Sequence, residues 1–285
     1  MKPTLSLIAI TLIGCAFTVR ANAAPVTPAP QQDITAFSQP MPTLQVWAAG
    51  SLRGALTDIA QQFSSKTGIK IETSFGPAGL LFSRIKKNEA VDVYLSANMR
   101  YPQQLSDEKI AAPPVIFTHN TLCLTTRAGF DLTADNMVDV LLRPSVKIGT
   151  STPGNDPGGD YAMAFFAKIG ESNTSSQDIL QKKARPIVGG KFSPSVPLGW
   201  NPVEYFLASQ KIDVFIGYCS AHNKTTDPRF TKTRIPDTLA APIVYGSSVL
   251  LKSKDPNQRA AAFQFAFYLM SEEAKKNLRA YHFEP

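Results

Sequence analysis

The chain has 285 residues, of which 44% are hydrophobic and 18% charged, with a formal charge of +7. That apolar content excludes a disordered chain, and the length suits one or two domains. Lysine and arginine are scattered rather than grouped, which argues against a nucleic-acid groove and leaves a basic surface with mild long-range attraction for anions.

Residues 1–23 read as a signal peptide. Met1-Lys2 is a short basic start, residues 5–19 are almost wholly apolar, and Ala21-Asn22-Ala23 has the small-x-small form of a cleavage site. The apolar run is shorter than the ~20 residues a spanning helix needs. Export to the periplasm is the expected consequence. Leu12-Ile13-Gly14-Cys15 also has the form of a lipobox, and lipidation at Cys15 is the lesser alternative. Residues 24–42, rich in Pro, Ala, Gln and Thr, read as a disordered leader.

The first folded unit is strand, turn, helix, strand, turn, helix, strand. Residues 44–49 form an apolar strand that ends in Ala48-Ala49-Gly50-Ser51-Leu52. Leu52, Leu56, Ile59, Ala60 and Phe63 then mark one face of a helix that stops near Gly68. Residues 69–75 alternate as a strand and lead into Gly76-Pro77-Ala78-Gly79. A helix over 80–88, a strand over 91–95 and a short helix near 102–107 come after it.

The second unit has a strand over 122–126, a helix over 133–142 with Thr133 as N-cap, and a strand over 146–150. A loop of Pro and Gly, 151–159, precedes a helix over 161–169 capped by Asp160. A helix over 175–183, a short strand at 187–188 and a helix over 203–209, with Pro202 as its first residue, come next. A buried strand over 214–218 closes the unit. A long apolar strand over 241–251 and two helices end the chain. Strands alternating with helices imply parallel sheets, with ligands at the carboxyl ends of the strands.

Cys123 and Cys219 each lie in or beside an apolar strand. In an oxidising compartment two such thiols often pair; the alternative is two buried free thiols. Neither has a histidine at ligand spacing, so no metal site is expected. No Gly-x-Ser-x-Gly elbow, Walker loop, zinc spacing or dinucleotide fingerprint is present. His119, His222 and His282 lie in unrelated contexts. An enzyme is not expected, nor a cofactor.

What remains are hydroxyls and glycine-rich turns at helix starts, where unpaired N–H groups favour an anion. Ser51 is a plain N-cap or a hydroxyl donor to such an anion. Gly76–Gly79 is a tight turn or a cradle. The 154–159 loop is the strongest of the three, and Asp156 within it is expected to point outward and cap local N–H groups.

The order of these motifs resembles the periplasmic molybdate-binding proteins of ABC importers. The resemblance covers most of the chain after Thr43. It rests on Ala48-Ala49-Gly50-Ser51-Leu52, Ile71-Glu72-Thr73-Ser74-Phe75, Val91-Asp92-Val93-Tyr94-Leu95-Ser96-Ala97, Pro157-Gly158-Gly159-Asp160-Tyr161-Ala162 and Ile216-Gly217-Tyr218. It implies an α/β, two-lobed periplasmic-binding-protein architecture. Each lobe would hold a mixed, mostly parallel sheet flanked by helices, joined through a two-crossing hinge near 120–121 and 242–243. Lobe I would comprise 43–121 plus 243–285, and lobe II 122–242.

The resemblance also implies a tetrahedral oxyanion, molybdate or tungstate, held by hydroxyls and backbone N–H groups, and a membrane permease as partner to a monomeric binder. By position, Ser51 and Tyr218 match the family's first serine and its tyrosine. Gly158 and Trp200 stand at backbone donors, and Ala78 stands where the family has a second serine. Ala78 lacks that hydroxyl. Unless its own N–H or that of Gly79 compensates, about 1.5–3 kcal/mol of binding is lost. Trp200 is larger than the family's usual residue and either packs in the hinge or core or narrows the cleft. Sulfate, phosphate or a small organic anion is the alternative ligand, and a secreted hydrolase the more distant one.

Overall fold

The computed structural model describes residues 41–225 and 227–285. The expected signal peptide, its Cys15 alternative and nearly all of the leader lie outside the described residues.

Ten strands and nine helices make up the described chain. They are β1 (Thr43–Ala49), a 3-10 turn (Gly50–Leu52), α1 (Arg53–Thr67), β2 (Lys70–Gly76), α2 (Ala78–Lys86), β3 (Val93–Ser96), α3 (Arg100–Asp107), β4 (Val115–Asn120) and β5 (Leu122–Arg127). Next are α4 (Met137–Leu142), β6 (Ile148–Ser151), α5 (Pro157–Gly170), α6 (Thr174–Lys183), β7 (Ala184–Val188), α7 (Pro202–Ala208), β8 (Val214–Tyr218) and β9 (Phe230–Arg234). β10 (Ile243–Val249), α8 (Pro256–Tyr268) and α9 (Glu272–Ala280) complete it.

Two five-stranded sheets organise these elements, in the orders β2-β1-β3-β10-β4 and β7-β6-β8-β5-β9. In each, one strand runs against the other four: β10 pairs antiparallel with β3 and β4, and β5 pairs antiparallel with β8 and β9. The chain passes between the sheets twice, at Asn120–Leu122 and again between β9 and β10. Ile243 registers against Asn120, so the two crossings lie side by side. α8 and α9 return to the first sheet, where Asn277 and Tyr281 of the C-terminal segment bond Gln62 and Asp58 of α1. Tyr94, Phe63, Phe265 and Tyr245 are fully buried in the first lobe, and Phe165 and Phe166 in the second.

Several local expectations shift. α5 begins at Pro157 and its cap is Asp156, not Asp160, because Asp156 Oδ1 accepts the Gly158 N–H at 3.0 Å and Pro157 presets the first helical φ. Asp160 instead reaches back to the Gly154 N–H at 2.7 Å. α4 starts four residues after Thr133, because Thr133 and Asn136 accept each other's backbone N–H and close a turn before the helix. β4 and β9 are additional strands. The first comes directly after Pro113-Pro114, and the second is a short, largely exposed edge strand.

Candidate functional site

The carboxyl ends of β1 and β8, the start of α5 and the hinge strands meet between the lobes. Ser51, in the 3-10 turn after β1, places its Oγ 2.8 Å from the Tyr245 hydroxyl on β10. Asn120, at the first crossing, orders the rest. Its Oδ1 accepts the backbone N–H groups of Thr121 and Ser220 at 2.9 and 3.3 Å. The amide nitrogen therefore faces the Tyr245 hydroxyl at 3.2 Å and Ser220 Oγ at 2.9 Å, and donates to both. The Tyr245 phenol, whose oxygen accepts from Asn120, shares a hydrogen bond with Ser51 Oγ in which either hydroxyl can donate.

Tyr218, the last residue of β8, carries a buried hydroxyl with no hydrogen-bond partner among the described residues. Its ring stands 6.0 Å from that of Tyr245 and 6.4 Å from that of Tyr161. Burial pushes the Tyr218 and Tyr245 phenols well above their usual pKa, so both stay neutral donors. A buried hydroxyl without a partner costs about 1–3 kcal/mol and calls for a reason. Ser51 faces a phenol rather than a base, so it is a donor and not an activated nucleophile.

The segment behind Tyr218 is fixed twice. Lys232 of β9 donates through Nζ to the carbonyls of Tyr218, Cys219 and Ser220 at 3.3, 3.0 and 2.5 Å. Loss of water around the ammonium lowers its pKa to about 8, against an opposing pull from Glu204. Cys219 is joined to Cys123 of β5, with Cα atoms 4.9 Å apart, and its N–H bonds the Thr121 carbonyl at 2.9 Å. Tyr218 is thereby tied to the first hinge crossing.

α5 opens on the same region. A Cβ added to Gly158 would lie 3.4 Å from Tyr218 Cε2 and 3.5 Å from both Asp156 Oδ1 and Ser151 Oγ. The Gly158 N–H is already taken by Asp156 Oδ1, and Asp156 Oδ2 accepts from Ser151 Oγ at 3.3 Å. Asp156 caps its helix as expected but does not point outward. Burial raises its pKa to about 6, with a smaller upward push from Asp160, while the bonds from Gly158 and Ser151 pull it down.

The start of α2 performs a different task. The Gly79 N–H donates to the Asn155 carbonyl at 2.8 Å, across the lobes. A Cβ there would meet Asn155 O, Gly154 O and the Tyr101 hydroxyl at 2.7–2.8 Å, so only glycine permits this approach. Tyr101 donates to the Gly154 carbonyl at 3.0 Å, Tyr161 to the Ala97 carbonyl at 3.2 Å, and Arg100 pairs with Asp160 at 3.2 Å. Ala78 is buried, and its carbonyl accepts from the Tyr94 hydroxyl at 2.7 Å.

Trp200 stands apart from this group. It is 39% exposed, edge-on to Tyr205 at 5.8 Å and beneath Arg229, and its N–H donates to the Pro197 carbonyl at 3.3 Å. Ser51, Tyr218, Gly158 and the Ala78–Gly79 turn border the lobe interface. Asn120, Tyr245, Ser220, Lys232 and the inward-facing Asp156 carboxyl join them without a sequence motif to announce them. Two surface pockets among the described residues, one around Ile85, Asn88 and Leu250 and the other around Ala164, Lys168 and Leu239, include none of these residues. Among the described residues no cluster of His, Cys, Asp and Glu has the make-up of a metal site. No described helix is long and apolar enough to cross a membrane.

Comparison with known proteins agrees with this architecture. The family described as bacterial extracellular solute-binding protein matches residues 44–284. The uncharacterized protein PM1146 of Pasteurella multocida is 38% identical over 180 residues, 63% of this chain and 75% of that one. The molybdate-binding protein ModA of Azotobacter vinelandii is 25% identical over 242 residues, 84% of this chain and 88% of its own. The solved structure of that organism's periplasmic molybdate-binding protein aligns with a TM-score of 0.68 at 19% identity, covering 85% of this chain and 99% of that one. The sulfate-binding protein SubI of Mycobacterium tuberculosis also aligns at 0.68, with 16% identity over 85% of this chain and 86% of its own. At these identities the structural likeness speaks for the fold alone.

Proposed function

The chain belongs to the bacterial extracellular solute-binding proteins, and on that premise we propose that it captures a tetrahedral oxyanion, molybdate or tungstate, between its lobes and delivers it to the membrane permease of an ABC importer. The family is one of binding proteins, not of enzymes. The observation that carries the reading is the Tyr218 hydroxyl, a buried donor without a partner, beside the start of α5 and within one aromatic ring of the Tyr245–Ser51 pair.

In this reading Tyr218 and Ser51 donate to the anion from opposite lobes, and the Gly158 and Ala78–Gly79 turns line it. The charge of Lys232 favours it from behind the 218–220 carbonyls. Binding to one lobe and subsequent closure of the other removes water, which strengthens each hydrogen bond. Molybdate takes precedence over sulfate because ModA matches along most of both chains. Export to the periplasm and action as a monomer complete the proposal.

The test is thermal shift and calorimetry of the mature chain against molybdate, tungstate, sulfate, phosphate and chromate. Molybdate and tungstate raise the melting temperature most if the reading holds. Stabilisation by sulfate or phosphate alone replaces the ligand and keeps the site. No stabilisation by any of the five removes the oxyanion reading.

A further inference from the structure

The start of α5 holds a carboxyl group where an oxyanion would sit, and the role of that group rests on the oxyanion reading proposed for this cleft. Asp156 Oδ1, Ser151 Oγ and the edge of Tyr218 gather around Gly158, all within 3.5 Å of where its Cβ would be. Tyr218 supplies the second, independent sign of a ligand, its buried and unpartnered hydroxyl. The Tyr218 phenol feels the charge of Asp156, so an anion that accepts from this hydroxyl comes within reach of the same charge. Two negative charges in contact, away from water, repel strongly, and one of them takes up a proton instead.

The surroundings of Asp156 favour that outcome. Tyr94 of β3, Tyr245 of β10 and Tyr218 of β8 all feel its charge, and all are neutral phenols. On α5, Tyr161 is held neutral to about pH 12, while Asp160 pushes the Asp156 carboxyl toward its acid form. Arg100 of α3 is paired with Asp160. Gly189, at the end of β7, packs against the Asp156 side chain and brings no charge. Burial pushes the carboxyl pKa up to about 6.

We propose that Asp156 is a ligand-contacting residue, and that the occupied cleft holds one proton between its carboxyl group and an oxygen of the bound oxyanion. The proton has two sources with one shared chemistry. Hydrogen phosphate or the monoanion of a phosphomonoester brings its own. Molybdate, tungstate and sulfate carry none near neutrality, so each dianion bound takes one proton from water onto Asp156. Selectivity among oxyanions then depends on their basicity as well as their size.

The experiment is calorimetric titration of the mature protein with molybdate, sulfate and inorganic phosphate, in pairs of buffers that differ in ionisation heat. Working between about pH 6 and 7 keeps Lys232, with its pKa of about 8, charged throughout. Dianion binding takes up a proton, close to one per ligand at the upper end of this range, and affinity falls toward tenfold per pH unit above the pKa of Asp156. Inorganic phosphate is largely the dihydrogen form in this range, so its binding as hydrogen phosphate shows no net uptake and releases a proton instead. Asp156→Asn keeps an oxygen to cap Gly158 and leaves Lys232 and His222 in place, so loss of uptake in this variant assigns the proton to Asp156. The wild-type buffer comparison stands without the variant, should that fold poorly. Dianion binding with no proton uptake and a flat pH profile overturns the proposal alone, as does uptake that persists in Asp156→Asn. Failure of every anion to bind at any pH overturns the oxyanion reading together with it.

Discussion

Replacing Tyr218 by Phe separates a ligand contact from a structural one, because the two readouts move in opposite directions. The hydroxyl is buried without a partner, so its removal takes away an unsatisfied polar group. Without added anion, Tyr218→Phe is expected to be neutral or more stable by up to about 1–2 kcal/mol. The ring contacts to Tyr161 and Tyr245 remain. With molybdate, the variant lacks one hydrogen bond to a charged acceptor, about 1.5–3 kcal/mol, or roughly tenfold to a hundredfold in Kd. Urea denaturation without anion and calorimetry with it measure the two terms. Ser51→Ala is the control, since it breaks the bond to Tyr245 and should lower both stability and affinity. Unchanged affinity in Tyr218→Phe, or a loss of stability above about 1 kcal/mol without anion, refutes the reasoning.

The remaining predictions concern the hinge, the lobe contact and pH. Cys123 and Cys219 close a loop of 96 residues, so Cys123→Ala with Cys219→Ala should cost up to about 4–5 kcal/mol in urea; a loss below about 1 kcal/mol would show that the β5–β8 pairing alone fixes this segment. Gly79→Ala puts a methyl group 2.7–2.8 Å from Asn155 O, Gly154 O and the Tyr101 hydroxyl, so the lobes should stay apart, seen as a larger radius of gyration by X-ray scattering at saturating molybdate. The raised Asp156 pKa, from 3.8 to about 6, means that the folded state binds the extra proton. Its stabilising contribution is full below about pH 4 and is lost as pH rises through 6, so wild type without anion should lose melting temperature between pH 5 and 7 relative to Asp156→Asn.

The strand–turn–helix units are legible in the sequence because each combines an apolar strand, a turn residue and an amphipathic face within about 25 residues. β4 is less plain, although Val115, Phe117 and His119 alternate with Ile116, Thr118 and Asn120. β9 has no such pattern, since an exposed edge strand buries little. The start of α5 is ambiguous because Asp156 and Asp160 both qualify as caps, and Pro157 is the signal that decides between them. Ser51 and Tyr218 are legible as strand-end residues. Asn120 and Tyr245 are not, because the bond between them joins positions 125 apart and no local pattern marks it. Counting back from Tyr218 gives the position of Trp200 but not its surroundings, which are the ring of Tyr205 and the guanidinium of Arg229.

The sequence points to backbone amides at helix starts as the natural anion donors, and the structure shows most of those amides committed elsewhere. Gly79 bonds Asn155, Gly158 bonds Asp156, and Trp200 bonds Pro197. Two hydroxyls near strand ends remain, Tyr218 without a partner among the described residues and Ser51 in a bond with Tyr245 that either group can donate. Two hydroxyls are a thin complement for a dianion, so a tight site needs the Gly158 amide as well. Freeing that amide breaks a helix cap worth about 1 kcal/mol. Protonation eases the exchange, because a neutral carboxyl accepts a weaker hydrogen bond than a carboxylate. An anion arriving at α5 then takes over the charge that Asp156 supplied to the helix dipole. On the proposed reading, the protonation of Asp156, the release of Gly158 and the seating of the anion form one coupled step, and a single aspartate next to the proline of α5 would then bear on the choice of oxyanion.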